Sequence, residues 1–257
     1  MLTPPEIARS LLAAGESKAR LPLGKMLLLA ILAGAYIALA GVGATAAAVT
    51  VESGSLAKLL SACVFPAGLS MVILAGSELF TGNCLMVMAL LERRITPAQL
   101  LRNWLTVYLG NAVGGAAVAA LAVYSHTASL FGDGLARSMV SIAESKAALG
   151  FGDAFLRGVL CNFLVCLAVW MAAASKRAEG KVIALFFPIL LFVLCGYEHC
   201  IANLYYLPAG AFAAAEYGME TTLTLAGCLE NLAAVTLGNL VGGVALGVGY
   251  RFAYLKE

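Results

Sequence analysis

Two apolar runs in this chain are too long for one membrane helix and too short for two. One extends from Leu59 to Leu91 and the other from Val182 to Ala215. A straight spanning helix needs about 20 residues. Each run is interrupted near its middle by a glycine and an acid, Gly76-Ser77-Glu78 in the first and Gly196-Tyr197-Glu198-His199 in the second. The pattern predicts two spanning helices broken at Gly76 and Gly196. Four unbroken apolar runs accompany them, Met26 to Val49, Leu100 to Tyr124, Ala154 to Ala174 and Leu223 to Tyr250. An ionisable residue at bilayer depth is costly, so it tends to line a pathway or a cavity.

The two halves repeat each other. Gly76-x-Glu78-x4-Asn83 matches Gly196-x-Glu198-x4-Asn203 at an offset of 120. Asn103-x6-Gly110-Asn111-x2-Gly114-Gly115 matches Asn231-x6-Gly238-Asn239-x2-Gly242-Gly243 at an offset of 128. Each half therefore holds three spans, and an odd number per half forces the halves into opposite orientations. The expected fold is all-α and integral to the membrane: six transmembrane helices in two inverted three-helix repeats, with the second and fifth broken. The expected division is 1–25 as an N-terminal amphipathic helix, 26–124 and 154–252 as the two repeats, 125–153 as a loop between them, and 253–257 as a tail. Gly110-x3-Gly114 and Gly238-x3-Gly242 read as close helix contacts, either within one subunit or along an oligomer seam.

Composition agrees with this reading. The chain is 62% hydrophobic and 12% charged, with mean hydropathy +0.94, against about 25% charged residues in soluble domains. A net charge of +2 leaves no basic stripe for nucleic acid. Of 16 Lys and Arg residues, 12 fall at the two termini and in the loops after the second and fourth spans, which predicts both termini on the cytoplasmic side. Thr3-Pro4-Pro5-Glu6 predicts a capping box opening a short helix, lying on the membrane surface or packed on the protein itself. Seven cysteines lie in apolar stretches with no CxxC, so neither a disulfide framework nor a metal centre is expected, and no cofactor.

The breaks carry the chemistry. Opening a helix in hydrocarbon frees N–H and C=O groups that need partners. Glu78 and Glu198 are expected to accept the freed N–H groups, with a titrating proton carrier as the other reading. His199 has no counterpart in the first half, where Leu79 or Phe80 takes its place. It can exchange a proton near neutral pH, and Thr81 on the matching break could join it in a small polar spot. Lys146, from its spacing alone, reads as a loop lysine in solvent. No HExxH, GxSxG or P-loop occurs, so an enzyme is not expected.

The blocks Gly76-Ser77-Glu78-Leu79-Phe80-Thr81-Gly82, Cys161-Asn162 through Trp170, and Gly196-Tyr197-Glu198-His199-Cys200-Ile201-Ala202-Asn203 resemble the formate/nitrite transporter family of bacterial anion channels. The resemblance runs from about Leu23 to Tyr250. It implies an aquaporin-like protomer, a homopentamer with one pore per subunit, contact with membrane lipid in a bacterial inner membrane, and passage of small monovalent anions such as formate, nitrite or hydrosulfide. It further implies that His199 is the central histidine, Thr81 its partner, Asn162 a pore-facing asparagine and Lys146 the group that attracts anions. Phe65, Leu69 and Phe192 match constriction residues, with Leu79 and Phe80 near the cytoplasmic side. Ser77, Glu78 and Thr81 look more like the nitrite branch, whereas Cys200 and Tyr205-Tyr206 depart from both branches. The expected function is a passive or proton-linked anion channel in which His199 protonates the anion. The alternative is an aquaporin-like channel for a small neutral solute, against which stands the lack of paired Asn-Pro-Ala motifs and a filter arginine.

Overall fold

Apolar helices set the architecture. In the computed structural model, which describes residues 1–255, every regular element is helical. The α-helices are α1 (Pro4–Ala19), α2 (Leu23–Ala48), α3 (Gly54–Val64), α4 (Pro66–Ala75), α5 (Phe80–Asn83), α6 (Val87–Leu91), α7 (Pro97–Tyr124), α8 (Gly134–Ala147), α9 (Phe151–Ala173), α10 (Ala178–Leu194), α11 (Cys200–Glu216) and α12 (Leu225–Tyr254). Short 3-10 turns cover Cys84–Met86 and Thr127–Ser129. Five stretches are long and apolar enough to cross a bilayer: α2, α3 with α4, α7, α9 and α12. Large apolar side chains on their outer faces, such as Leu105, Leu109 and Leu160, are exposed, as lipid-facing or subunit-facing surfaces require.

The Leu59–Leu91 run is more segmented than its single expected break. Pro66 follows Phe65 and removes a backbone donor there, so α3 and α4 meet at Phe65. At Gly76 the chain turns into the left-handed region, with φ +77°, and Gly196 does the same at φ +69°. Glycine accepts that conformation without a Cβ penalty. Leu79 and His199 are then extended, and helix resumes at Phe80 and Cys200.

Two asparagines close the gaps. Asn111 Oδ1 accepts the Phe80 N–H at 3.0 Å, while its Nδ2 donates to the carbonyls of Ala30 and Glu78 at 2.7 and 2.9 Å. Asn239 Oδ1 accepts the Cys200 N–H at 2.9 Å, and its Nδ2 donates to the carbonyls of Gly158 and Glu198, both at 2.8 Å. Each amide thus satisfies one freed donor and two acceptors (all the side chain can offer apart from one lone pair). This corrects the role expected of Glu78 and Glu198. Their carboxylates turn toward lysine and asparagine side chains instead, and the amides do the work assigned to them.

The glycine motifs bring the asparagines into place. Gly114 packs against the Ile31 carbonyl and Gly34 against the Asn111 backbone, joining α7 to α2. Gly238 and Gly242 meet the carbonyls of Phe155 and Val159, joining α12 to α9 in the same way. These contacts lie within one chain, which settles what the motifs do here. Helix α1 packs on the protein, burying Ile7, Ala8, Gly15 and Ala19. The segment expected as a loop, 125–153, holds α8, whose Ala143 lies against Gly210 of α11. Glu144 of α8 accepts from Thr221 Oγ1 and the Thr222 N–H at 2.9 and 2.7 Å; these bonds hold its carboxyl below the usual value. Of the expected tail 253–257, α12 takes in residues up to Tyr254, and Lys256 and Glu257 lie outside the described residues.

Two stability predictions follow from this packing. Asn239→Ala leaves the Cys200 N–H and the Glu198 carbonyl without the partner Asn239 gave them, in an apolar setting, a cost of about 2 kcal/mol or more. Thermal unfolding in detergent should show a clearly lowered Tm, and Asn111→Ala should behave alike; an unchanged Tm would refute the bracket. Gly242→Ala forces α12 away from α9 and should cost about 2 kcal/mol, whereas Gly249→Ala, with open space around it, should leave Tm within error.

Candidate functional site

A cation is delivered to each break by a helix that does not span. Lys18, in the last turn of α1, places Nζ 2.8 Å from Glu78 Oε1 and 2.8 Å from Asn83 Oδ1. Asn83 Nδ2 donates to Glu78 Oε2 and to Asn103 Oδ1 at 2.8 and 2.9 Å. At the other break, Lys146 in the last turn of α8 donates to both carboxylate oxygens of Glu198 at 2.9 Å. Asn203 Nδ2 donates to Glu198 Oε2 and to Asn231 Oδ1 at 2.7 and 2.8 Å. Asn231 in turn donates to the Lys146 carbonyl at 2.8 Å. The lysine expected in a solvated loop is therefore a helical residue with a side chain only 15% exposed. Its ammonium also lies 5.3 Å from the centre of the Tyr206 ring. Removing either partner of such a pair leaves a buried charge uncompensated.

His199 sits beside the second break and reaches the first. Its Nδ1 accepts the Ala202 N–H at 3.1 Å, so the side chain caps α11. An Nδ1 that accepts a backbone N–H carries no proton, which assigns the ring proton to Nε2. Nε2 lies 3.0 Å from Thr81 Oγ1. The imidazole also stacks on Phe192, with centroids 5.8 Å apart and an interplanar angle of 25°. Phe65 meets Phe192 edge to face at 5.6 Å.

Two cavities lie beside this contact, one lined by His199 and the other by Leu79 and Gly82, close to Thr81 in the chain. The larger, about 520 Å³, is lined by Lys58, Lys146, Arg157, Glu198, Phe192 and His199 among others, and Phe65 also faces it. The smaller, about 310 Å³, is lined by Lys18, Glu78, Val72, Leu69, Leu79 and Gly76 among others. They share no lining residue. The side chains of Phe65, Phe192, Leu69 and Leu79 are all buried.

Other candidates lie away from the cavities. Phe80 packs edge to face on Tyr108 and Trp104 of α7, at 5.2 and 6.4 Å, and lines neither cavity. Asn162 is fully buried, and its Nδ2 donates to the carbonyls of Asn239 and Thr81 at 2.7 and 3.3 Å. It braces the backbone around Thr81. Sequence reasoning passed over Lys18, Asn111, Asn239, Lys58 and Arg157. The matched positions of Asn111 and Asn239 were the available signal for that pair.

Comparison with known proteins fits this geometry. The sequence profile described as "Formate/nitrite transporter" matches residues 5–253. A "Probable formate transporter" from Methanothermobacter thermautotrophicus is 38% identical, over 99% of this chain and 98% of its own. A solved "FNT family ion channel" superposes with TM-score 0.87 at 32% identity, covering 96% of this chain and 98% of that one. A "Pentameric formate channel with formate bound" superposes with TM-score 0.80 at 33% identity, covering 91% and 98%. A chain matched almost end to end in sequence and in structure shares more than a common architecture: it belongs to the formate/nitrite transporter family.

Proposed function

We propose that this chain is one protomer of a homopentameric channel for formate and similar small monovalent anions, nitrite and hydrosulfide included, with a separate passage through each subunit. The observation that carries the reading is the His199–Thr81 contact between two cavities, each with a paired lysine at its wall. The relative with formate bound is a pentamer, which supports the assembly. The matched bonding of Asn111 with Asn239, and of Lys18 with Lys146, supports two inverted three-span repeats. The distribution of Lys and Arg supports placing α1 and the Lys18 cavity on the cytoplasmic face of an inner membrane.

The proposed passage begins with an anion drawn into the Lys146 cavity. Beyond it lie the Phe65 and Phe192 rings, and a bare carboxylate entering so apolar a zone loses its hydration at great cost. Adding a proton removes the charge, and the neutral acid crosses. His199 presents Nε2–H at that boundary, hydrogen-bonded to the Thr81 hydroxyl. A second proton on Nδ1 would face the Ala202 N–H, donor against donor. His199 therefore stays neutral and holds the anion at the boundary as a hydrogen-bond donor through Nε2–H, while a hydronium ion of the cavity water supplies the proton. The proton either leaves with the acid on the far side or returns along the same path.

Formate uptake into proteoliposomes is the test. Well above the carboxyl pKa, the neutral acid rises about tenfold for each unit of falling pH, and wild-type flux should climb with it. His199→Phe, a ring of similar shape without a proton, should flatten that dependence while the pentamer stays intact. A pH profile unchanged in the variant would sink the part given to His199. No anion flux at all from intact wild-type pentamers would sink the channel reading itself.

A further inference from the structure

The larger cavity holds two cations that no carboxylate answers. Lys146 is engaged by both oxygens of Glu198, so its charge is locally compensated. Glu198 is the only acid on that wall among the described residues, whereas Lys58 and Arg157 line the cavity as well. Neither side chain has an ion pair or hydrogen bond among the described residues, and both residues are exposed. Lys58 lines the same cavity as Arg157, Lys146 and Glu198. The smaller cavity differs. Among the described residues Lys18 is its only lining cation, and Glu78 neutralises it. The two ends are therefore built alike around their breaks and unlike in their net charge, with a surplus of two positive charges at one end.

A cleft of one sign with apolar walls concentrates counter-ions and speeds their capture. We infer that Lys58, on α3, and Arg157, on α9, form an anion-collecting station at the mouth of the Lys146 cavity, and that this station sets the affinity for the transported anion from that side. Resting on the proposed channel function, it assigns capture to Lys58 and Arg157 and leaves Lys146 to hold Glu198 at the break. The station takes a small monovalent anion without selecting its shape, because two cations on separate helices offer charge and no shared bidentate frame.

The test reads local potential first and transport second. Cys63, Cys195 and Cys228, the cysteines that are not buried, are replaced by serine, and Ser145→Cys places a thiol on the cavity wall. Its modification rate is compared for a methanethiosulfonate bearing a sulfonate and one bearing a trimethylammonium group. The sulfonate reagent should react faster. Lys58→Gln with Arg157→Gln should narrow the rate ratio about tenfold, added salt should do the same, and the swap Lys58→Arg with Arg157→Lys should keep it wide. In formate uptake from that side, the Gln pair should raise KM about fivefold, with the maximal rate held. An unchanged ratio in the Gln pair overturns the station, and a narrowed ratio with unchanged KM overturns its role in capture. A narrowed ratio in a protein that carries no formate upholds the station and counts against the formate reading alone.

Discussion

A helix opened inside a membrane leaves backbone donors and acceptors with no water to turn to. That deficit at Gly76 and Gly196 governs the centre of this molecule. Asn111 and Asn239 remove it by a three-point bond each, joining the restarted helix, the last carbonyl before it and a neighbouring span. Because the asparagines sit on α7 and α12, they can reach the gaps only if those helices press closely on α2 and α9. The glycines flanking them permit that approach. Backbone satisfaction, glycine packing and the position of the breaks are thus one constraint seen at three levels.

The two breaks share this frame and differ in the side chain just before helix resumes. Leu79 and His199 occupy the same extended position just before helix resumes. Leucine closes one cavity with apolar surface. Histidine caps its helix through Nδ1 and leaves Nε2–H free to meet Thr81. The structural and the chemical readings of His199 are therefore compatible: the cap fixes the tautomer, and the tautomer determines which nitrogen can act toward a solute. Asn162 and Cys166, both bonded to the Thr81 carbonyl, hold the partner threonine in register.

The sequence made the breaks legible because glycine and a lone acid inside an apolar run have few other meanings. The recurring motifs pointed to Asn111 and Asn239, which bond alike at the two breaks, and three ordered blocks made the family legible. What it hid were partnerships across long separations. Lys18 looked like the polar face of a surface helix, and Lys146 like a solvated loop residue, since nothing nearby in sequence announces a carboxylate far along the chain. The glutamates were given the asparagines' task for the same reason: both residue types can satisfy an N–H, and only the fold shows which one is within reach. Phe80, alternating with its neighbours at a helix start, faces α7 and not a cavity, a matter of rotation that composition cannot resolve.

The order of the ion-pair partners along the chain bears on how the protein is made. Lys18 precedes Glu78 by 60 residues, and Lys146 precedes Glu198 by 52. Since chains emerge from the ribosome N-terminus first, each acid is synthesised after its cation already exists. The broken segments, which carry the costliest charges for a nascent chain to insert, thus arrive with a neutralising partner waiting. Each acid can thus be neutralised as soon as its segment is made, without waiting for the rest of the chain.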